Sequence, residues 1–386
     1  MIANTILAIF AFLSCALNLW QWLVGRRFPL HERARAHAFP PALTLLKPLK
    51  GSDQTTEDCL RSWFTQDYTG RVQILFGVAS AEDSVCLIVR KLLEEFPAVD
   101  ATPVVCGPLL GANAKVSKLV ELKRLAKHDV FVISDADVRV SRDFLTNLAA
   151  SFQTSGETVG LVSCFYRLAN PTTLAMQWEA IAINADFWSQ VLQAQSLKPI
   201  DFALGAVMLT PRKALEAIGG FEALMDCLAD DYQLGHRIAR HGYRIAICPV
   251  VVECWSAPMS WAVVWKHQLR WARTIRVCQP VPYFFSILSN PTLWPLIWLL
   301  VNPTRIVFAI VLCCGLVRLY MAHDLQSRIT QTRQHLRYWW LSPIKDLLQT
   351  AIWILAFAGN RIEWRGELMR LRRDGTLQKE ATSTSV

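Results

Sequence analysis

Residues 129–137 read DVFVISDAD, and this stretch decides the fold class. The run DVFVIS is short, apolar and bounded by polar residues, which is the pattern of a strand buried on both faces. Between residues 40 and 279, similar short β-type runs alternate with longer amphipathic segments. This alternation predicts βαβ units and an α/β domain built on a mixed, mainly parallel sheet.

The alternation can be followed along the first half of this region. Strands are predicted at residues 43–46, 73–78 and 102–105, with helices at about 54–63, 84–96 and 116–126. In sheets of this kind, ligands bind at the carboxyl ends of the strands. The residues that directly follow each strand are therefore the candidates for a functional site.

Two carboxylates, Asp135 and Asp137, directly follow the predicted strand DVFVIS. Placed one residue apart, both can reach a hard divalent cation such as Mg²⁺ or Mn²⁺, which prefers oxygen ligands. The alternative is a solvated Asp turn, because Asp is common after strands.

Two further polar groups follow later in the chain. Asp230 and Asp231 stand at a predicted helix start, where a carboxylate can act as a general base or simply cap the helix. The motif HQLRW at residues 267–271 precedes the C-terminal apolar block. Arg270 could hold a diphosphate bidentately with Trp271 against a ring, whereas Arg beside Trp is also a common interfacial anchor.

The composition favours a membrane protein. Hydrophobic residues make up 53% of the 386 residues and charged residues 18%, which excludes a disordered chain and disfavours an ordinary soluble enzyme. Much of the net charge of +9 borders apolar segments, so it indicates membrane flanks and no nucleic-acid partner. The eleven Cys include no CxxC pair and indicate neither a zinc site nor a disulfide framework.

The apolar segments lie at the two ends of the chain. Residues 1–25 carry no charged side chain and are followed by Arg26 and Arg27, which predicts a spanning helix whose C-terminal side faces the cytosol. A signal peptide would carry its positive charges before the apolar run. Three more uncharged runs follow, at residues 283–301, 306–317 and 347–360. The first contains two prolines, which predicts a kinked or re-entrant segment.

These patterns divide the chain into four parts. We expect an N-terminal transmembrane helix, a cytosolic catalytic domain, a C-terminal region of transmembrane or interfacial helices, and a flexible tail, at residues 1–25, 40–279, 280–362 and 370–386. The expected location is the cell inner membrane, with several passes and the catalytic domain in the cytosol.

Five segments together resemble the ceramide glucosyltransferase group of membrane glycosyltransferases. They are LLKPLKGSD (45–53), GANAKVSKL (111–119), ISDADVRV (133–140), LADDYQLG (228–235) and HQLRWARTIR (267–276). The bacterial members that glycosylate hopanoids resemble the chain at least as closely. The resemblance covers nearly the whole chain and implies a GT-A-type nucleotide-sugar-binding domain, a UDP-sugar donor, a lipid acceptor at the bilayer and a divalent metal, Mg²⁺ or Mn²⁺.

The resemblance also implies roles for individual positions. Asp231 matches the catalytic base, and Asp135 and Asp137 match the metal-binding carboxylates. The residues implied at the donor are Lys50, Ser80, Asp83, Lys115 and Arg270, and those implied at the acceptor are His267, Arg270 and Trp271.

Two positions depart from the family pattern. Ser80 stands where an Asp of the uridine pocket is usual, with Asp83 close by, and His267 replaces the Gln or Arg that opens the QxxRW-type motif. The first change bears on uracil recognition. The second is milder, since His also donates hydrogen bonds.

The sequence therefore predicts an inverting glycosyltransferase. It would move glucose or N-acetylglucosamine from a UDP-sugar to a hydroxyl of a membrane lipid such as ceramide or a hopanoid. Two alternatives remain open: transfer to a polyprenyl phosphate or a polysaccharide, and a non-catalytic lipid- or sugar-binding relative, which the Ser80 departure motivates.

Overall fold

The computed structural model describes residues 1–34, 40–153, 158–364, 367–372 and 374–379. Its strands are β1 Leu43–Pro48, β2 Val72–Val78, β3 Asp100–Val105, β4 Val130–Ser134, β5 Val138–Arg139, β6 Val159–Leu168, β7 Val207–Pro211, β8 Arg244–Cys254, β9 Arg361–Trp364, β10 Glu367–Leu371 and β11 Leu377–Lys379. Its helices are α1 Ile2–Arg27, α2 Thr56–Phe64, α3 Val85–Glu95, α4 Ala114–Arg124, α5 Phe144–Gln153, α6 Leu174–Ile181, α7 Trp188–Leu197, α8 Arg212–Ala217, α9 Asp230–Arg240, α10 Trp261–Cys278, α11 Pro280–Phe285, α12 Leu293–Val301, α13 Arg305–Thr330 and α14 Leu341–Phe357.

Contacts group the chain into two compact units that alternate along the sequence. The apolar unit comprises Met1–Pro29, Pro171–Lys198 and Pro258–Asp374; the sheet unit comprises Leu30–Asn170, Pro199–Ala257 and the chain from Gly375 onward. Residues 171–198 and 258–279 thus group with the apolar helices, although the sequence pattern assigns them to the catalytic domain.

The sheet unit contains one eight-stranded mixed sheet. Its strand order is β3-β2-β1-β4-β7-β6-β8-β5. The four strands β3, β2, β1 and β4 run parallel because α2, α3 and α4 return the chain between them, whereas β7 lies antiparallel to β4. The predicted fold class, an α/β domain on a mixed, mainly parallel sheet, is confirmed.

The central strands form the core of this unit. Leu43, Leu45, Ile74, Phe76 and Val132 are almost completely buried and belong to one apolar cluster. Burying a side chain of this size stabilises a fold by about 1.5–3 kcal/mol. The sheet therefore holds the loops at its edge on a rigid base.

One edge of this sheet collects the candidate residues. The parallel strands β1, β2 and β4 all end there, and the antiparallel strand β7 begins there, with Val207 opposite Ser134. Beyond this pair, the Asp135 amide donates to the Ala206 carbonyl at 3.2 Å. The start of β7 therefore fixes the backbone that carries the Asp135 carboxylate.

The apolar unit contains the candidate membrane helices. Among the described residues, α1 and α13 are long and apolar enough to cross a bilayer, by length and composition. The pair Pro280–Ser289 and Leu293–Val301 adds a third span at most, since it is bent by 54° at the break between its parts. The break lies at residues 290–292, which include Pro291, and the bend agrees with either predicted form, a kinked or a re-entrant segment.

The predicted tail at residues 370–386 contains the end of β10 and the strand β11. In the sheet unit, the Leu377 amide donates to the Asp226 carbonyl at 2.8 Å. Residues 373 and 380–386 lie outside the described residues, and the flexibility expected for the tail stays a prediction.

Candidate active site

The first part of the site is the turn after β4. Both Asp135 and Asp137 are held by their backbones, since Asp135 N donates to Ala206 O at 3.2 Å and Asp137 O accepts from Trp255 N at 2.9 Å. The Asp135 side chain is 38% exposed, so its carboxylate is accessible from solvent. The two predicted metal ligands therefore lie on an anchored turn at the ligand-binding edge of the sheet.

Lys115 supplies the positive charge of the site. Its Nζ lies 2.8 Å from Asp135 Oδ1 and 3.1 Å from Asp230 Oδ2. Burial by itself would lower the pKa of Lys115, but these two carboxylates outweigh burial and raise it above its ordinary value. Lys115 therefore stays charged and links the β4 turn to the start of α9.

Asn113 explains why Lys115 is placed there. Its side-chain oxygen accepts from the amides of Lys115 and Val116 at 3.0 and 3.2 Å, so it is the N-cap of α4. The side-chain nitrogen of Asn113, Nδ2, donates to the Cys227 carbonyl at 2.8 Å. One side chain therefore starts the helix of Lys115 and fixes the loop that leads to Asp230.

The second acidic pair opens α9, and the structure corrects one prediction here. The sequence offers the two carboxylates as possible helix caps, but the N-cap is Ala229, and the Asp230 carboxylate pairs with Lys115 instead. A charged partner outcompetes a capping amide because a charge-assisted bond is roughly twice as strong as a neutral one. Asp230 is consequently part of the charged cluster.

Asp231 lies next to this cluster in a tight position. Its Oδ1 accepts from the amide of Tyr232 at 2.8 Å, and its Oδ2 lies only 2.6 Å from where a Cβ on Gly205 would be. Burial, followed by repulsion from Asp230, raises the pKa of Asp231 to about 6. A carboxyl group with that pKa is suited to accept a proton near neutral pH.

Sequence reasoning missed Lys47, which supports the β4 turn from below. Its fully buried Nζ donates to Ser134 Oγ at 3.1 Å and to the Asp135 carbonyl at 2.6 Å, and it lies 5.0 Å from the ring centroid of Trp63. Burial lowers the pKa of Lys47 to about 8. The available signal was a lysine inside LTLLKP, a strand otherwise suited to burial on both faces.

The predicted donor residues Lys50, Ser80 and Asp83 follow β1 and β2 at the same edge. Lys50 is exposed, and Ser80 Oγ accepts from the Glu82 amide at 3.1 Å. Asp83 accepts from the Gly51 amide at 2.9 Å and so joins the loops that follow β1 and β2. Apart from Glu82, Asp83 is the carboxylate nearest in sequence to Ser80, and it is engaged with backbone.

The donor set for a metal consists of Asp135 and Asp137. In the parts of the chain that the structure describes, no three or more His, Cys, Asp or Glu side chains are grouped to hold a metal alone. Two carboxylates nevertheless fit Mg²⁺ or Mn²⁺, which take their remaining oxygens from phosphates and water. Asp137 is exposed at the surface, but its carboxylate is partly desolvated and lies near Asp135. Desolvation, followed by repulsion from Asp135, raises the pKa of Asp137 to about 6. A bound cation would offset the negative charge of the two carboxylates.

The motif at residues 267–271 belongs to α10 in the apolar unit. His267 Nδ1 lies 2.7 Å from Oε1 of Glu179. The His267 and Trp271 rings pack edge to face, with 4.3 Å between their centroids. Gln268 donates to the same Glu179 oxygen at 2.9 Å. Arg270 follows one turn later on the same helix.

Glu179 is a second residue that sequence reasoning missed. Its side chain is 1% exposed, and it orients His267 and Gln268. In the sequence it is a lone acid within the apolar helix LAMQWEAI, and that isolation was the available signal.

The chain is similar to known glycosyltransferases in sequence and in fold. The sequence profile of Glycosyl transferase family 21 matches residues 5–377. Ceramide glucosyltransferase 3 of Caenorhabditis elegans is 24% identical over 221 residues, or 57% of this chain and 48% of the relative. The chain thus spans about half the length of the curated relatives it matches first. A probable glycosyltransferase of Bacillus subtilis, YdaM, is 21% identical over 330 residues, or 82% of this chain and 71% of the relative.

One solved structure superposes over most of the chain. It is the mannosyltransferase PcManGT from Pyrobaculum calidifontis in complex with GDP-Man and Mn²⁺, with a TM-score of 0.54 and 20% identity, covering 90% of this chain and 99% of that one. At this identity the likeness shows the fold, and the expected GT-A type is confirmed.

Proposed function

Because the chain belongs to glycosyltransferase family 21, we propose that it is an inverting enzyme that moves a hexose from a UDP-sugar to a hydroxyl of a membrane lipid. Glucose or N-acetylglucosamine is the proposed sugar, and ceramide or a hopanoid the proposed acceptor. The observation that carries the proposal is the cluster of Asp135, Lys115 and Asp230, with Asp231 beside it.

The donor would bind through its diphosphate at the β4 turn. Asp135 and Asp137 would hold a divalent cation there, and a bound cation neutralises charge that develops on a departing UDP. Lys50 is exposed at the end of β1, and Lys115 keeps its charge through Asp135 and Asp230. Both lysines add positive charge at the edge where the diphosphate would bind.

Asp231 would act on the acceptor. Its carboxylate accepts the proton of the lipid hydroxyl while that oxygen forms a bond to the anomeric carbon, and the bond from that carbon to UDP breaks on the opposite face. The burial that raises its pKa to about 6 makes it a better base than a solvated aspartate. This single displacement inverts the configuration at the anomeric carbon.

The lipid acceptor is proposed from the apolar unit and from the relatives. Among the described residues, two helices of that unit have the length and composition of membrane spans. The two relatives from Caenorhabditis elegans that are named ceramide glucosyltransferases align with this chain over about half of their own length. Arg26 and Arg27 end α1, and by the positive-inside rule this end of the helix faces the cytosol, where nucleotide sugars are found. We place the enzyme in the cell inner membrane with its GT-A domain in the cytosol, and His267, Arg270 and Trp271 as acceptor contacts, with Arg270 also touching the donor.

The test is a product assay with the full-length protein in lipid nanodiscs. UDP-glucose and UDP-N-acetylglucosamine are each supplied with ceramide, a hopanoid or a polyprenyl phosphate, and the products are identified by mass spectrometry. We expect one glycolipid that carries a hexose on a hydroxyl and that is lost in EDTA and restored by Mg²⁺ or Mn²⁺. Product on polyprenyl phosphate alone, or no UDP release with any pair, would contradict the proposal.

A further inference from the structure

The last described residues of the chain lie against the loop 225–229, which leads into α9. The Leu377 amide donates to the Asp226 carbonyl at 2.8 Å, and the Leu228 amide donates to the Gly375 carbonyl at 3.2 Å. This is the pairing of two antiparallel strands. The chain returns here after the candidate membrane helices and adds a short strand to the loop that precedes Asp231.

The contact involves side chains as well as backbone. Thr376 and Cys227 stand opposite each other between the two hydrogen bonds, and the Leu377 side chain is buried. Gly375 has φ +84°, a conformation that side-chain-bearing residues rarely adopt. The segment is therefore packed and has a defined local turn.

The other face of the same loop is bonded to the start of α4. The Asn113 amide donates to the Met225 carbonyl at 2.7 Å, and the Ala112 amide donates to Asp226 Oδ1 at 2.9 Å. The Asn113 side chain adds its bond to the Cys227 carbonyl at 2.8 Å. The loop is thus held between the Lys115 helix on one face and the end of the chain on the other.

We propose that residues 375–377, the C-terminal strap, position the catalytic base for sugar transfer; this rests on the proposed function. The strap bonds to the loop 225–229 and acts through it, because this loop leads into α9, where Asp231 lies. Without the strap, the loop keeps its hydrogen bonds to the start of α4 but loses the two backbone hydrogen bonds to Gly375 and Leu377. The start of α9 can then shift. A displacement of about 1 Å at a reacting group costs on the order of 10²-fold in rate.

The test compares two truncations of the full chain, one ending at Asp374 and one ending at Lys379. The first removes the strap and the second, the matched control, keeps it. We expect the first to lower kcat by about 10²-fold while the Kd for UDP and the KM for the donor stay within about threefold. The second should retain the kcat of the full chain. Equal kcat values for the two truncations would overturn the proposal.

Hydrogen exchange separates the strap from the proposed function. In the chain ending at Asp374, amides of residues 113–117 and 226–232 should exchange faster than in the chain ending at Lys379, whether or not any sugar is transferred. If the full chain transfers nothing but this difference is present, the proposed function fails, while the part of the proposal that the strap holds the loop before α9 is retained. Unchanged exchange would overturn the strap even in an active enzyme.

A third variant covers the case in which the shorter chain does not fold. Opposed residues between two such bonds have Cα atoms about 4.5 Å apart, within disulfide range, so Thr376→Cys should form a disulfide with Cys227 on oxidation. We expect the oxidised variant to keep the kcat of its reduced form, because the strap is bound in the active enzyme. Failure to form the disulfide, or a loss of kcat on oxidation that a reductant reverses, would overturn the proposal.

Discussion

Individual residues determine which carboxylate can serve as the base. Lys115 contacts Asp135 and Asp230, whereas Asp231 accepts a bond from the Tyr232 amide. The negative charge of Asp231 is therefore compensated less directly than that of its neighbours, and burial with repulsion from Asp230 raises its pKa to about 6. The same features that make this carboxylate costly in the folded protein make it basic.

Replacing Asp231 with Asn should lower kcat by about 10²–10⁴-fold, the usual contribution of a general base. The Kd for UDP should be retained. The thermal unfolding temperature should not fall, because the variant removes a carboxylate whose ionised form the fold disfavours. Steady-state kinetics, UDP titration and thermal unfolding check this. A dead Asp230→Asn beside an active Asp231→Asn would reverse the assignment.

The raised pKa of Asp231 also predicts the acid side of the pH profile. Above about pH 6 the group is a carboxylate and can accept a proton; below it the group is protonated and cannot. With Mg²⁺ at saturating concentration, which keeps Asp137 ionised, we expect kcat/KM to fall as the pH decreases through about 6. The residual rate of Asp231→Asn should lack this decrease. A wild-type rate that stays flat from pH 7 to about pH 4.5 would contradict a base role for this group.

Gly205 sets the position of the base by having no side chain. An added Cβ would lie 2.6 Å from Asp231 Oδ2, so Gly205→Ala must displace the carboxylate. We expect kcat to fall by about 10²-fold with the Kd for UDP retained. The matched control is Gly315→Ala, where an added Cβ meets nothing within 4 Å. Full activity of Gly205→Ala would show that the carboxylate has freedom to move without cost.

At the scale of elements, α4 connects the charged cluster to the loop before α9. Asn113 has two roles there. Its side-chain oxygen caps the helix, and its Nδ2 donates to Cys227 O at 2.8 Å and to Asp230 Oδ1 at 3.5 Å. Helix α4 is therefore both a scaffold for Lys115 and a support for the start of α9.

Two replacements of Asn113 should separate its role as the helix cap from the role of its side-chain nitrogen. Asn113→Ala removes both and should cost about 1 kcal/mol of unfolding free energy from the lost cap. Asn113→Ser keeps a capping oxygen but is too short to reach Cys227. It should therefore regain most of that stability, while its kcat should stay as low as that of Asn113→Ala. Denaturant unfolding and steady-state kinetics on both variants check this. Equal recovery of stability and kcat in Asn113→Ser would show that the bonds of Asn113 Nδ2 to Cys227 and Asp230 do not contribute to catalysis.

The elements predicted from sequence are those whose patterns are local. The strands that become β1, β2 and β4 are short apolar runs, and the helices between them are amphipathic, so their bounds agree with the structure to within a few residues. The antiparallel entry of β7 beside β4, the close approach of Gly205 to Asp231, and the strap at residues 375–377 depend on segments distant in sequence. No local pattern records such contacts, and the same is true of the partners of Lys47 and Glu179.

At the scale of the whole molecule, α13 extends well beyond its uncharged run for a physical reason. The sequence suggests an uncharged run at residues 306–317 ended by Arg318, yet the helix continues to Thr330. Arg318 is 2% exposed and pairs bidentately with Asp186, and it also pairs with Asp346, which Lys345 contacts at 2.9 Å. A charge neutralised in this way need not end an apolar helix.

Removing one member of this buried network should destabilise the apolar unit, because it leaves a buried charge without compensation. Asp346→Asn would leave Arg318 and Lys345 short of one negative charge, and breaking a buried pair typically costs about 3–5 kcal/mol. We expect a large drop in the unfolding temperature in detergent. The control is Lys266→Gln, which removes an exposed ion pair with Glu363 and should change it little. Similar effects of the two variants would contradict a structural role for the network.

The most direct measurement of the central claim is the anomeric configuration of the glycolipid product. In a single displacement with Asp231 as the one base, the lipid oxygen attacks the face opposite to UDP, so an α-linked UDP-sugar must give a β-linked lipid. Nuclear magnetic resonance of the anomeric proton in the product of the full-length enzyme distinguishes the two configurations. The account predicts a β-glycoside made by the wild type and nearly absent with Asp231→Asn. An α-glycoside, or β-glycoside formed at the wild-type rate by that variant, would contradict it.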